Sequence, residues 1–281
     1  MKKKLFACLL SAAMVLSLAA CGGTTETETT DTEGSDSEGQ TYTIGVIQQM
    51  QHEALDAATQ GFQDAVAELF GDQASVEVQN ASGEAANCST IVGSFVSSGV
   101  DLIMANGTTA LQSAAAATTT IPILGTSITE YGVALGIDGF TGTTGMNVSG
   151  TSDLAPLDQQ AAMLQEWFPD AKNVGLLYCS AEPNSLYQVE TVQGYLEEMG
   201  YTCTPYSFSD SNDLSAVATN ACAQSDVLYI PTDNTAATNA ELIGNIAQSS
   251  ATPIIAGEEG ICSGCGVATL TISYYDIGYA T

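Results

Sequence analysis

The sequence predicts an α/β protein of two Rossmann-like lobes, each a parallel sheet with flanking helices, and a cleft between them. Three observations carry this expectation. From Tyr42 onward, short β-rich runs ending in turn residues alternate with alanine-rich helical stretches, the pattern of a parallel sheet with crossover helices. Runs such as LIMA (102–105) and IPIL (121–124) are apolar throughout, as strands covered on both faces are. The alternation lapses over 146–157 and then restarts, which splits a chain of 281 residues, long enough for two domains, into two successive units.

The first unit reads as strand 42–47, helix 52–70, strand 75–79, helix 86–98, strand 101–105, helix 109–117, strand 121–125 and a further extended run at 140–145. In the first helix Leu55, Phe62, Val66, Leu69 and Phe70 recur at spacings of three, four and seven, which places them near one face. The second unit reads as helix 157–168, strand 174–178, helix 184–199, strand 202–208, helix 213–223, strand 227–230, helix 235–249 and strand 253–256. Open α/β sheets bind ligands beyond the carboxyl ends of their strands, so two such units facing each other form a cleft with loop residues on both walls. The polar residues are concentrated in those loops.

Charge narrows the function classes. The chain carries 32 Asp and Glu against 4 Lys and Arg, a formal charge of −28. Lys2, Lys3, Lys4 and Lys172 are its basic residues, and it has no Arg. Neutralising nucleic-acid phosphates or an anionic membrane surface takes Lys and Arg, so the folded part is not expected to bind either. Phosphorylated ligands are disfavoured too, since the bidentate Arg clamp is lacking.

The N-terminus reads as an export signal. The basic run 2–4 precedes a 16-residue apolar stretch (5–20), an h-region length and short for a spanning helix. It ends Leu18-Ala19-Ala20-Cys21-Gly22, which resembles the bacterial lipobox, in which the Cys is acylated and becomes the first mature residue. Residues 21–40, with six carboxylates and no large apolar side chain, are expected to form a disordered acidic tether. Processing at Cys21 would leave Lys172 alone against 32 carboxylates, a charge of −31. The expected organisation is a lipoprotein signal at 1–20, the tether at 21–40, an N-terminal lobe at 41–150 to which 273–281 return, and a second lobe at 151–272. The protein is then extracytoplasmic and lipid-anchored to the cell membrane. The remaining cysteines (88, 179, 203, 222, 262 and 265) are scattered with one close pair, and most are expected to be small buried hydrophobes.

Seven stretches in order carry a family resemblance: IGVIQQMQHEALDAATQGF, DLIMANGTTALQSAAAAT, IPILGTSIT, NVSGTSDLAP, NVGLLYCSAEPNS, VLYIPTDNT and ISYYDIGYAT. Over residues 41–281 the chain resembles the substrate-binding lipoproteins of ABC transporters typified by the tryptophan- and tyrosine-binding proteins of Gram-positive bacteria. The resemblance implies a type I periplasmic binding protein-like fold and a non-enzymatic role, in which a small ligand is captured between the lobes and handed to a permease driven by a separate ATPase subunit. No cofactor or metal is implied. Three departures stand out: His52-Glu53 where the family has His-Pro, Thr109 in place of a proline, and an end at Thr281 where family members continue, so that the resemblance implies a C-terminally truncated chain.

A zwitterionic amino acid needs a carboxylate cradle and an ammonium partner, and without Arg the cradle must come from hydroxyls and backbone N–H groups at helix starts. Thr108 could reach a ligand carboxylate or simply cap the helix it precedes. Ser180, Asn184 and Ser185 lie in the second unit's first strand-to-helix loop; the family resemblance implies ligand contact there, while Pro183 and Asn184 also suit a turn and cap. Asp233 is the expected ammonium partner, because a carboxylate in a dry cleft gains strongly from a cation, with Asn234 beside it; capping is again the alternative. Ser152 and Asp153 match the family's Ser-Asp, and Glu258 ends the last strand at the cleft. His52, the one histidine, has no nucleophile or orienting partner to make it a base and is expected to line the cleft. For an aromatic wall the candidates are Tyr131, Tyr187 and Tyr274 or Tyr275, with Trp167 and Phe168 expected in packing.

Two alternatives stay open at this level. A neutral ligand, a sugar or nucleoside, would need stacking aromatics and paired amides. An extracellular thiol oxidoreductase would rest on Cys262 and Cys265, which have redox spacing.

Overall fold

The computed structural model describes residues 41–281. The signal segment, Cys21 and the acidic tether lie outside the described residues.

In the first lobe, β1 (Tyr42–Gln48), α1 (Glu53–Phe70), β2 (Ala74–Asn80), α2 (Ala85–Ser98), β3 (Leu102–Asn106), α3 (Thr108–Ala117), β4 (Ile123–Ile128), α4 (Tyr131–Leu135) and β5 (Val148–Ser152) follow in turn. Their strands form a parallel sheet in the order β2-β1-β3-β4-β5. The second lobe contains α5 (Leu157–Trp167), β6 (Asn173–Cys179), α6 (Pro183–Glu198), β7 (Thr202–Phe208), α7 (Ser211–Gln224), β8 (Val227–Ile230), α8 (Asn234–Thr238), α9 (Ala240–Ser250), β9 (Ile254–Ala256), α10 (Glu259–Cys265) and β10 (Ala268–Thr269). Its sheet, also parallel, runs β10-β9-β8-β6-β7. Read from its other edge, this is the order of the first sheet, so each lobe is a doubly wound unit with a switch point, at β1/β3 and at β6/β8.

Both sheets are covered on both faces. In the first, Phe95, Ile103 and Leu111 pack on one side and Val46, Phe62 and Met104 on the other. In the second, Leu177, Phe208 and Ile243 oppose Leu164, Val192 and Tyr229. Alpha helix α1 buries Leu55, Phe62 and Val66, whereas Leu69 and Phe70, expected near the same face, are exposed, 73% and 43%.

Alpha helix α11 (Tyr274–Ala280) returns to the first lobe and crosses α1 at backbone distance. A Cβ on Gly278 would lie 2.0 Å from the Ala58 carbonyl oxygen, and one on Gly61 would lie 2.1 Å from that of Tyr275. Glycine at both positions is what lets the helices meet. Tyr275 and Tyr279 then donate to Asp64 (2.9 Å) and Glu68 (2.6 Å) on α1.

Three expectations are corrected. Residues 140–145 form no strand: Gly142 and Gly145 adopt positive φ of 94° and 68°, and the chain turns there before pairing as β5, Ile123 opposite Val148. The helix expected at 235–249 is broken at Asn239 (φ −112°, ψ 18°), whose side-chain amide donates to the Thr235 carbonyl at 2.8 Å and closes the turn locally. Residues 259–265, where the sequence predicts no helix, form α10; two glycines mask it in sequence, and Glu258 holds its first turn by accepting from the Gly260 and Ile261 amides.

Candidate functional site

The carboxyl ends of both sheets face one another across a narrow cavity of about 10 Å³, the two walls being closed upon each other. From the first lobe, His52 and Leu55 line it at the start of α1 and Ser127 at the end of β4. Asp153 lines it where the chain leaves the first sheet, and Tyr274 where α11 begins. The second lobe contributes Asn184 after β6, Thr232, Asp233 and Asn234 after β8, and Glu258 after β9. Two larger grooves open on the outer surface, one beside α9 and α10 and one between β1, α1 and the end of α11, and neither contains these residues.

Each carboxylate is held by donors of the protein itself. Asp233, 1% exposed, accepts from the Cys179 amide (2.6 Å) and the Ala236 amide (2.7 Å), so it caps α8 and also ties β6 to β8. Burial, helped by the nearby Glu182, pushes its pKa up to about 8. Asp153 accepts from Thr129 (2.9 Å) and from the Tyr274 hydroxyl (3.0 Å), and burial raises it as well. Glu258 caps α10, and its carboxyl is likewise raised, chiefly by burial.

His52 bridges the lobes. Its Nε2 lies 3.0 Å from Asn234 Oδ1, and burial lowers its pKa, so the ring is neutral and donates. Asn234 is oriented by Glu182, whose Oε2 accepts from both its amide (3.0 Å) and its side chain (2.7 Å). The other oxygen of Glu182 accepts from the amide and hydroxyl of Thr235, at 2.8 and 2.7 Å. Thr238 donates to Met50 Sδ across the same cleft at 2.8 Å.

Two polar atoms at the cavity have no partner. Ser127 Oγ and Asn184 Oδ1 are buried and unbonded, each residue being 6% exposed. Ser127 also sits at φ 56°, a region uncommon outside glycine. A strained residue whose hydroxyl is orphaned at a cavity wall is arranged for something outside the chain.

Of the ten residues singled out in the sequence, the structure brings six to the cavity: His52, Asp153, Asn184, Asp233, Asn234 and Glu258. The other four lie elsewhere. Thr108 is buried in the first turn of α3 and does not cap it; Gly107 holds the cap position and Gln49 Oε1 accepts from the Thr109 amide at 2.8 Å. Ser152 Oγ donates to the Thr129 carbonyl (2.9 Å) and Ser180 Oγ to that of Phe208 (3.1 Å); both residues are exposed, Ser152 at the end of β5 and Ser180 in the turn after β6. Ser185 is fully buried behind the wall, against the Thr232 carbonyl. Of the aromatic candidates Tyr274 alone lines the cavity; Tyr131 is tied to the carbonyls of Gly125 and Thr151, and Trp167 is 55% exposed. Ser127, Thr232, Glu182 and Gln188 were not singled out as site residues. Gln188 accepts from the Thr232 amide and donates to its carbonyl, at 3.2 and 3.1 Å, which fixes that wall. Glu182 and Gln188 act through contacts 44 to 53 residues away, which no local motif announces.

Cys262 and Cys265 are free thiols within α10. Burial pushes Cys265 up to about 12, with Cys262 and Glu258 adding to it, and Cys262 is raised for the same first reason. Thiol exchange chemistry needs the opposite, a lowered pKa, so this pair is unsuited to oxidoreductase work. Among the described residues no group of three or more His, Cys, Asp or Glu is placed to hold a metal ion.

The profile of the family described as ABC transporter substrate binding protein matches residues 43–281. A protein of Clostridioides difficile (strain R20291) named as a tyrosine-binding protein is 34% identical over 239 residues, 84% of this chain and 69% of that one. The crystal structure of an ABC domain from Streptococcus pneumoniae in complex with L-Trp is similar with a TM-score of 0.83 at 31% identity, covering 86% of this chain and 82% of the other. The ligand-free, open structure of a substrate-binding protein with adhesive properties from Clostridium difficile gives 0.60 at 32% identity, with 85% and 81% covered. At nearly equal identity and coverage, the lobes thus superpose much better on the L-Trp complex than on the open, ligand-free protein.

Proposed function

The chain belongs to the ABC transporter substrate-binding proteins, and from that premise we propose that it captures a small aromatic amino acid between its lobes and delivers it to the permease of an ABC importer. It does so outside the cytoplasm, held to the membrane by lipid on Cys21. One observation carries the reading at the site: a closed cavity between the lobes, in which Ser127 Oγ and Asn184 Oδ1 are buried without partners beside three carboxylates and no Lys or Arg. Such a wall has a hydroxyl to offer an acceptor and carboxylate lone pairs to offer an ammonium. Asp233 is the ammonium partner in this reading, with Asn184 Oδ1 accepting beside it, and His52 and Asn234 close the cleft over the ligand. The names of the relatives, one tyrosine-binding and one solved with L-Trp, support an aromatic side chain.

The experiment is calorimetric titration of L-tyrosine and L-tryptophan into the wild type and Ser127→Ala. The Ser127 hydroxyl bonds nothing in the protein, so its removal should leave thermal stability unchanged while weakening binding about tenfold, roughly 1.4 kcal/mol for one lost hydrogen bond. Equal affinity in wild type and variant would remove Ser127 from the site, and no heat with either amino acid would end the aromatic reading.

A further inference from the structure

The seam between the lobes holds acids from both sides and no cation to match them. On the second-lobe wall Asp233 and Glu258 are each 1% exposed, and the start of α1 from the opposite lobe shares the cavity wall with them through His52 and Leu55. Glu53 on that helix reaches α10, where Ser263 Oγ donates to its Oε2 at 3.5 Å, and with Glu259 it repels Glu258. Asp153, also buried, stands where the chain passes between the lobes. Lys172, the one Lys among the described residues, is exposed just before β6 and is no part of this wall.

Space is as scarce as countercharge. A cavity of about 10 Å³ admits one water at most, so the closed seam cannot hydrate its carboxyls. A carboxylate buried with neither cation nor water takes up a proton instead. Asp233 is the clearest case, since burial and the nearby Glu182 push its pKa up to about 8. Opening returns water to it, while the Cys179 and Ala236 amides, both within the second lobe, stay bonded and favour the ionised form. Its carboxyl is thus neutral when the lobes close and charged when they part.

The other titratable groups at the seam do not cancel this. Burial pushes Cys179 up to about 11 and Cys265 up to about 12, and it raises Cys262 and Tyr274 as well, so all four stay neutral near pH 7. Asp153 and Glu258, raised chiefly by burial, act in the same direction as Asp233. His52 acts in the opposite one, with Asp56 and Glu182 close enough to favour its charged form; burial lowers it, so opening lets it gain a proton, but only below its ordinary 6.5.

Resting on lobes that part to admit a ligand, as in the capture reading, we propose that closure takes up a proton onto Asp233, so that the ligand-free protein closes near pH 6.5 and opens as the pH rises toward 8. One proton makes the closing equilibrium fall by up to about tenfold per pH unit over that range. A ligand ammonium supplies the same positive charge and stands in for the proton.

The test is small-angle X-ray scattering of the ligand-free full chain between pH 6.5 and pH 8 at constant ionic strength, with circular dichroism alongside. The carboxylates of residues 21–40 are ionised across this range and add no change of their own. The radius of gyration should rise with pH at constant circular dichroism, and most of that rise should vanish in Asp233→Asn, whose side chain is neutral at every pH. A wild-type radius that is constant or falls with pH overturns the proposal, as does a rise that comes with lost circular dichroism, which is unfolding. Asp233→Asn opening over the same range as the wild type overturns it too; if that variant does not fold, the wild-type series decides alone. No ligand enters this experiment, so heat from L-tyrosine or L-tryptophan judges the capture reading separately.

Discussion

Glu182 joins two loops of the second lobe, and Glu182→Gln measures how firmly. The carboxylate accepts five hydrogen bonds: Oε1 from the amide and hydroxyl of Thr235, Oε2 from the amide and side chain of Asn234 and from the side chain of Asn184 at 3.3 Å. Glutamine has one acceptor oxygen, so whichever way its amide turns, a backbone N–H of Asn234 or Thr235 faces an NH₂ group and loses its partner. The less costly orientation places the NH₂ against Thr235, whose hydroxyl can rotate to accept from it. One orphaned buried N–H remains, which costs about 1–3 kcal/mol. For a folded chain of this size that corresponds to a fall in Tm of roughly 2–12 °C. The same change relieves repulsion on Asp233, since Glu182 is one cause of its raised pKa. That relief counts only when Asp233 is ionised, so the loss should be largest near pH 5.5 and smaller near pH 9. Differential scanning calorimetry of both proteins at the two pH values reads this directly. An unchanged Tm at pH 5.5, or a loss that grows with pH, would refute the account.

Other expectations follow from the same geometry. Asp153, Asp233 and Glu258 have pKa values raised by burial, so the folded state keeps protons that the unfolded state has released; the stability these three contribute is fully present below about pH 4 and is lost as pH rises toward about 8, whereas His52, lowered by burial, contributes in the opposite sense below 6.5, so Tm should fall from pH 6.5 to pH 8 and a rise over that range would contradict this. Gly278→Ala places a methyl group 2.0 Å from the Ala58 carbonyl oxygen and should cost about 1–3 kcal/mol by forcing α11 away from α1, which thermal unfolding will show. With their thiols held well above neutral pH, Cys262 and Cys265 should be alkylated by iodoacetamide at pH 7 more slowly than free cysteine, and faster labelling would reopen the redox alternative. Cys21→Ser should move the exported protein from the membrane fraction to the soluble one.

Much of the architecture was legible because parallel strands buried on both faces leave continuous apolar runs, as at Leu102–Asn106 and Val227–Ile230. Elements decided by a single side chain were not. Asn239 ends α8 through its own amide, and Glu258 starts a helix through a stretch that glycine would otherwise keep irregular. In the cleft, loops at strand ends could be read from chain order, which is why Asp233, Asn184 and Glu258 stood out. Direction within a loop could not: Ser180 and Ser152 turn outward to bond a nearby carbonyl, whereas Ser127 faces the cavity through a positive φ that no neighbouring residue signals. Glu182 looked like one acid among 32, and its importance comes from β6 and β8 being neighbours in the sheet.

Among the described residues the chain passes between lobes twice, after Ser152 and again between β10 and α11. Asp153 and Tyr274 stand at these two passages and are bonded to each other, while Gln160 holds the Leu270 carbonyl at 2.7 Å beside them. Any opening of the cleft turns about this axle, and points near an axle travel least. In the proposed capture role Asp153 and Tyr274 are therefore expected to move least on opening, and a ligand would meet them before closure. In the same role the contacts of His52 with Asn234 and of Met50 with Thr238 would act as latches, because no covalent passage ties them and they would part on opening. Affinity is then the sum of a landing on the axle and a reward for latching. Changes at His52 should alter how long a ligand stays far more than how fast it arrives.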